Sequence, residues 1–303
     1  MTNILLRGDS SSKIGLGHNM RDLVLVKEFK KAKISFACQD LKGNINHKIL
    51  EAGYNLELLK SNSKEELLKL IKKLKIDLLI IDHYKIDYKI EKYIKKKTGI
   101  KIFVVDDTYE KHQCDILLNH NLGADLKRYK HLVPSSCELR CGNRYTLLRD
   151  EFIKEKKRKR APKKRTIFLA MGGTDVENIS LMVLKSLKKL TDIEVHLVTT
   201  SSNKNILSLK NYTKNRAYLH LHTDANNIAK LMAKSSFAIV SPSVILNEVY
   251  FMNLPFIAIK TAKNQDDMYK YLKNKNYLTL KKFNERKLLK CCQQLLGSKN
   301  ENL

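Results

Sequence analysis

Residues 4–26 read ILLRGDSSSKIGLGHNMRDLVLV. An apolar run (Ile4, Leu5, Leu6) meets a helix-like one (Leu23 to Val26) across arginine, aspartate, three serines, two glycines and a histidine. A strand, a glycine turn and a helix in immediate succession are how a doubly wound α/β domain begins. Gly15 and Gly17 let the backbone come close to a ligand. The free N–H groups of the following helix attract phosphate or carboxylate.

The same rhythm runs along the chain. In the first half NILLRG, KISFACQ, YNLELL, DLLIIDH, KIFVVDD and DILLNHN read as strands, and SKEELLKLIKKLK has apolar residues at helical spacing. The second half repeats it with TIFLAMGG, EVHLVTTS, AYLHLHT, SFAIVSP and PFIAIK. Strands alternating with helices predict parallel sheets covered on both faces. Two such series predict two Rossmann-like, doubly wound α/β domains, over residues 1–153 and 166–303. Between them, nine of the twelve residues from Lys154 to Arg165 are Lys or Arg, around Ala161-Pro162. A sheet cannot bury that stretch, so 154–165 is expected to be a solvated linker.

At 303 residues and 43% hydrophobic composition, the chain has material for two cores. Lys+Arg outnumber Asp+Glu 58 to 31, a net charge of +27, which favours anionic partners. Most of the excess is lysine scattered as compositional drift leaves it, so anion binding must rest on a few placed residues. The basic run lacks the interleaved aromatics that stack bases, so no nucleic-acid partner is expected. No run approaches the roughly 18 apolar residues of a membrane span, and ILLRGD breaks too early for a secretion signal. The six cysteines show no paired CxxC spacing. Free thiols, no metal, no cofactor and a cytoplasmic location are the expectation.

Ligands of open parallel sheets collect at the carboxyl ends of strands. RGDSSSKIGLGH, IIDHY, VVDD, MGGTD, VSPS and KTAKNQ all fall where strands should end. Arg7-Gly8-Asp9 also spells an adhesion tripeptide, a coincidence at the end of a buried strand. GLGH is not a dinucleotide fingerprint: Met20 stands at the third glycine, and KISFACQ ends in Gln39 without an acidic residue. There is no GxxxxGK[ST] either. His18 falls in the first helical turn, whose positive end disfavours imidazolium, and neutral imidazole accepts a proton from water. Asp9 is the candidate to orient its ring. Gly172-Gly173 repeats the glycine turn in the second domain. Ser241-Pro242-Ser243 opens a helix carrying Asn247 and Glu248, and a carboxylate there suits the two hydroxyls of a ribose.

RGDSSSKIGLGHNMRD, IIDHY, VVDD with CDILLN, YTLLRDEF, MGGTD, NE with LPFIAI, and AKNQ occur in this order. Together they resemble the UDP-sugar hydrolases of bacterial pseudaminic acid biosynthesis, which act on UDP-2,4-diacetamido-2,4,6-trideoxy-beta-L-altropyranose. The likeness runs from residue 4 to about 275 and leaves the tail after Lys282 unmatched. R-x-D…G-x-G-H-x-x-R and A-x-N-Q are its specific parts. That family is similar to the two-domain GT-B glycosyltransferases, notably the one that makes lipid II, with a cleft between the domains. The resemblance implies His18 as general base, with Asp9 and Arg21 of the same motif on the substrate side. It implies Tyr84 lining the sugar pocket, Asn264 and Gln265 near sugar and phosphates, and Glu248 on the ribose. Ser241-Pro242-Ser243 departs from the glycine-rich turn of many members.

The function this implies is hydrolysis of a UDP-sugar. Water activated by His18 attacks the anomeric carbon with inversion, and UDP leaves with its charge met by helix N-termini. Neither a metal nor a carboxylate pair is required. The expected protein is a monomer without stable membrane insertion. Two rivals remain open: a glycosyltransferase using a UDP-sugar donor, and a non-enzymatic polyanion-binding protein.

Overall fold

The computed structural model describes residues 1–158 and 165–297. The chain divides into two compact units, Met1–Leu147 and Leu148–Leu303. In the first, strands β1 (Thr2–Gly8), β2 (Ala32–Gln39), β3 (Asn55–Leu59), β4 (Leu78–Asp82), β5 (Lys101–Val105), β6 (Ile116–Asn119) and β7 (Glu138–Cys141) alternate with α1 (Gly17–Leu25), α2 (Asn46–Glu51), α3 (Lys64–Leu74) and α4 (Tyr88–Thr98). The second holds α5 (Asp150–Lys157), β8 (Thr166–Ala170), α6 (Ile179–Leu187), β9 (Glu194–Thr199), α7 (Ile206–Thr213), β10 (Leu219–Thr223), α8 (Ile228–Lys234), β11 (Phe237–Val240), α9 (Val244–Phe251), β12 (Phe256–Ile259), α10 (Asp266–Asn274), β13 (Leu278–Leu280) and α11 (Glu285–Gly297).

Each sheet is parallel throughout, with strand orders β3-β2-β1-β4-β5-β6-β7 and β10-β9-β8-β11-β12-β13. Both units are doubly wound α/β domains. Their central strands are buried on both faces, which is why they read as largely apolar runs. Helices contribute a narrow stripe: in α3 only Leu67, Leu70 and Ile71 are buried, and the lysines face solvent. Ser63 and Asp87 cap α3 and α4 by accepting from Glu66 N and from Lys89 N and Ile90 N.

In each sheet the order reverses once, between β1 and β4 and between β8 and β11. Crevices at such reversals are where doubly wound sheets bind ligands. Register sharpens the first: Gly8 pairs with Asp82, so the turns leaving β1 and β4 start side by side. In the second unit Ala170 pairs with Val240, aligning the Gly172 turn with Ser241–Ser243.

The structure departs from the sequence reading in three places. β7 and β13 were not expected, being short edge strands without an apolar run. The units divide at Leu147–Leu148, where composition pointed to residue 153. The reason is α5: Phe152 is fully buried, and Glu151 accepts from Ala229 N of α8 at 3.1 Å. The basic stretch therefore begins as the last turn of a helix. Residues 159–164 of the expected linker lie outside the described residues.

Candidate active site

Two of the three serines of the first turn are spent on shaping it. Ser10 Oγ accepts from Ile45 N and Asn19 Nδ2, at 3.0 and 3.2 Å. Ser11 Oγ accepts from Lys13 N and Ile14 N. Ser11 and Gly15 exchange backbone hydrogen bonds, and Gly15 sits at φ +97, a conformation that demands glycine. Gly17 begins α1, whose N-terminus has no side-chain cap. This delivers His18, 8% exposed, to the β1/β4 crevice.

There the expected partner is replaced by another. His18 Nδ1 meets Asp82 Oδ1 at 2.8 Å, and Asp9 does not orient this ring. Asp9 Oδ2 instead receives His83 Nε2 at 3.0 Å. The register is the cause: with Gly8 beside Asp82, Asp9 lies level with His83, while the first turn of α1 reaches over to Asp82. The outcome is a reciprocal brace, in which each strand's carboxylate holds the histidine of the other's turn. Asp9 is otherwise consumed by a bidentate Arg7 (2.6 and 2.7 Å) and by Gln39 N at 2.8 Å. Burial opposes its charge, but His83 and Arg7 outweigh that and hold the carboxyl well below its usual range.

Arg21, placed on the substrate side by its motif, is buried and committed to carboxylates. Its Nε and Nη2 reach Asp82 at 2.6 and 2.5 Å, and Nη1 reaches Asp107 at 3.1 Å. Burial disfavours charge on Asp82, yet Arg21 and His18 hold it well below the usual carboxylate range. An ionised Asp82 only accepts, so Nδ1 of neutral His18 carries the proton and Nε2 keeps a lone pair. Nε2 has no hydrogen-bond partner among the described residues. Tyr84, 48% exposed, packs edge-on against His18 with ring centres 4.9 Å apart and donates to Asp107 at 2.9 Å. His120, at the end of β6, is buried with neither nitrogen partnered; burial and then the Arg21 cation push it down to about 3.

Behind this lies Asp22, fully buried, with neither oxygen receiving a hydrogen bond. A Cβ on Gly8 would come within 2.6 Å of Asp22 Oδ2, so the carboxyl occupies the space that glycine vacates. Burial first, then the charge of Asp82, raise its pKa well above the usual value. A carboxyl with no donor in reach is satisfied by keeping its own proton and offering it to Asp82. Folding therefore takes up a proton between the unfolded value of about 3.9 and the raised folded pKa, and stability falls as pH rises across that window. Asp22→Asn is expected to stabilise the protein, with a gain that grows by up to about 1.4 kcal/mol per pH unit. Urea unfolding of both proteins at pH 5, 6.5 and 8 measures it. A gap that stays constant or shrinks with pH would mean Asp22 is ionised.

In the second unit Gly172 has φ +93 with open space where a Cβ would stand, and Gly173 O accepts from Thr200 Oγ1 at 2.8 Å. The helix that follows is already occupied: Asp175 accepts from Ile179 N and Ser180 N, both at 2.9 Å. The next crevice wall differs. Ser243 precedes α9 without a side-chain cap, leaving the first amides of that helix available. Glu248, one turn in and 4% exposed, is gripped by Arg149 Nε and Nη2 at 2.9 and 3.0 Å. Its pKa is raised because burial exceeds the help of Arg149. Asn247 is buried beside it. Asn264 is exposed, whereas Gln265 turns back to receive Thr261 N at 2.8 Å.

The sequence-predicted residues thus gather at the carboxyl ends of each unit's central strands. Asp82, Asp107, Asp22 and Arg149 were missed as partners, although IIDHY, VVDD and YTLLRDEF contain three of the four. Among the described residues no group of three or more His, Cys, Asp or Glu is arranged to hold a metal ion. No helix among them is long and apolar enough to cross a membrane.

No protein-family model matches the chain. By fold it is similar to MurG of Acinetobacter baumannii, with a TM-score of 0.65 at 10% identity over 98% of this chain and 91% of that one. MnaA of S. aureus, solved with UDP, gives 0.62 at 13% identity over 98% and 88%. These likenesses show a GT-B-type fold. The spore coat polysaccharide biosynthesis protein SpsG of Bacillus subtilis is 24% identical over 85% of this chain and 77% of that protein. A further relative, the UDP-2,4-diacetamido-2,4,6-trideoxy-beta-L-altropyranose hydrolase of Campylobacter jejuni, is 44% identical over 274 residues, 90% of this chain and 97% of that protein. With identity at that level along nearly the whole of both sequences, and a histidine held open at the crevice of its first sheet, the chain belongs to the family of that hydrolase.

Proposed function

We propose that the protein hydrolyses UDP-2,4-diacetamido-2,4,6-trideoxy-beta-L-altropyranose, with His18 as the base that activates water. The observation that carries this reading is His18 itself, bonded through Nδ1 to an ionised Asp82 with Nε2 open. Nε2 takes a proton as water attacks the anomeric carbon. The imidazolium that forms is stabilised by Asp82, whose charge Arg21 secures. The second unit binds UDP. The uncapped amides of α9 suit the diphosphate, because Asp175 already fills the equivalent position on α6. UDP then departs without a dedicated acid, and a single displacement inverts the anomeric centre.

Incubation in H₂¹⁸O without any acceptor tests this. Label is expected in the free sugar and absent from UDP, and NMR of the first product should show one inverted anomer. Label in UDP means attack at phosphorus. UDP release that needs an added sugar acceptor means a glycosyltransferase. The reading includes a monomeric, cytoplasmic enzyme, with light scattering as the check on the monomer.

Glu248 belongs to the nucleotide side of this proposal, and ribose contacts are equal in ground and transition states. Glu248→Ala is expected to raise KM about 10–100-fold, the worth of charged hydrogen bonds, with kcat within about threefold. A fall confined to kcat would assign Glu248 elsewhere.

A further inference from the structure

Cys114 and Cys137 are free thiols outside the site described above, yet their sulfurs lie 3.6 Å apart. Topology brings them together. β6 and β7 are parallel neighbours with Ile116 opposite Glu138, so the residues that lead into them sit side by side. This is the amino-terminal edge of the sheet, opposite the edge that carries His18 and Asp82. β7 is also the outermost strand, paired on one side only.

The two thiols are not equivalent. Cys114 is 4% exposed, whereas Cys137 is partly open to solvent. The hydrogen bond from Cys114 lowers the pKa of Cys137 against burial, and the nearby His112 cation assists. His112 is held charged, its pKa raised to about 9 against burial by Asp106 and Glu91. Asp115 and Glu138 oppose the thiolate and are outweighed. The reachable sulfur is therefore the more nucleophilic one, with a second thiol in contact behind it.

We propose that Cys114 and Cys137 form a peroxide-reactive thiol pair that closes into a disulfide, fastening the edge strand β7 to its neighbour. The Cys137 thiolate attacks the distal oxygen of a hydroperoxide, breaking the O–O bond and releasing the alcohol, or water from hydrogen peroxide. The Cys137 sulfenic acid is then attacked by Cys114, which loses its proton as hydroxide leaves. Two thiols and one hydroperoxide give one disulfide, one alcohol and one water. Forming the bond closes the sulfurs from 3.6 Å to roughly 2.05 Å.

The test uses the full chain treated with a small excess of hydrogen peroxide, quenched and digested without reductant. Mass spectrometry is expected to find the Cys114–Cys137 peptide, with titratable thiols falling from six to four. Cys137→Ser and, separately, Cys114→Ala should each keep their remaining thiols free of that crosslink. The oxidised parent should melt a few degrees higher, because the bridge closes a loop of moderate length. Dithiothreitol should reverse the shift, and Cys137→Ser should not show it. UDP-sugar turnover should stay within about twofold, since the opposite edge carries the chemistry. A full set of free thiols after treatment, a crosslink from Cys137 to Cys141, or sulfinic acid at Cys137 with no disulfide would each overturn the pairing. A melting shift that survives in Cys137→Ser would do the same.

Discussion

His18→Ala and His18→Asn are expected to lower turnover by about 10²–10⁴, the usual contribution of a positioned general base, while UDP still binds. The diphosphate and ribose contacts proposed for the second unit do not involve this ring. The acid limb of the pH–rate profile, where a histidine base becomes protonated, should vanish in both variants. His83→Ala is the control, and the structure says why its loss should be smaller. His83 Nε2 is bonded to Asp9, and Nδ1 receives Lys85 N at 3.0 Å, so neither nitrogen is available to water. Its loss would act through Asp9 and Arg7. Near-parental turnover and an unchanged pH profile in the His18 variants would put the base elsewhere.

Asp82 should matter almost as much, in two separable ways. Asp82→Asn keeps the shape but offers an amide that can donate, so His18 is free to turn its proton to the wrong nitrogen. A loss of about two to four orders in turnover is expected, by analogy with other carboxylate-oriented histidines. Asp82→Ala additionally strips Arg21, 3% exposed, of its main counter-charge, leaving Asp107 at 3.1 Å as its carboxylate partner. Breaking one side of a buried pair costs roughly 3–5 kcal/mol, so chemical denaturation should show a large drop. Kinetics on Asp82→Asn remain readable even if the alanine variant does not fold. Turnover within threefold of the parent in Asp82→Asn would remove this aspartate from the mechanism.

Much of the fold was legible because doubly wound strands advertise themselves. Central strands with both faces buried, such as Ile4–Leu6 and Phe256–Ile259, carry short apolar runs that stand out in the sequence. β7 and β13 were illegible for the converse reason: as short edge strands, ELRC and LTL need only one partner and little burial. The boundary at Leu147–Leu148 was hidden because α5 is lysine-rich and reads as part of the basic run. What places it with the second unit is one buried phenylalanine and a few hydrogen bonds. At the site, residue types and their location at strand ends were readable, and His18 stands at its crevice as the glycine turn implied. The pairing was not. Whether Asp9 or Asp82 serves His18 depends on the β1/β4 register, in which residues 74 positions apart become level, and no local pattern encodes that. Asp22 was invisible for a similar reason, since its burial against Gly8 is a fact of packing.

The brace around His18 also has a meaning in time. An exposed aromatic or imidazole side chain changes rotamer within nanoseconds. His18, itself 8% exposed, is gripped at Nδ1 by Asp82 and pressed edge-on by Tyr84. A half-turn of the ring would have to break both contacts at once and set the lone pair against a carboxylate. In the proposed mechanism this pre-selects the reactive nitrogen, so an incoming substrate would meet Nε2 already presented, with no ring rotation needed before the chemistry.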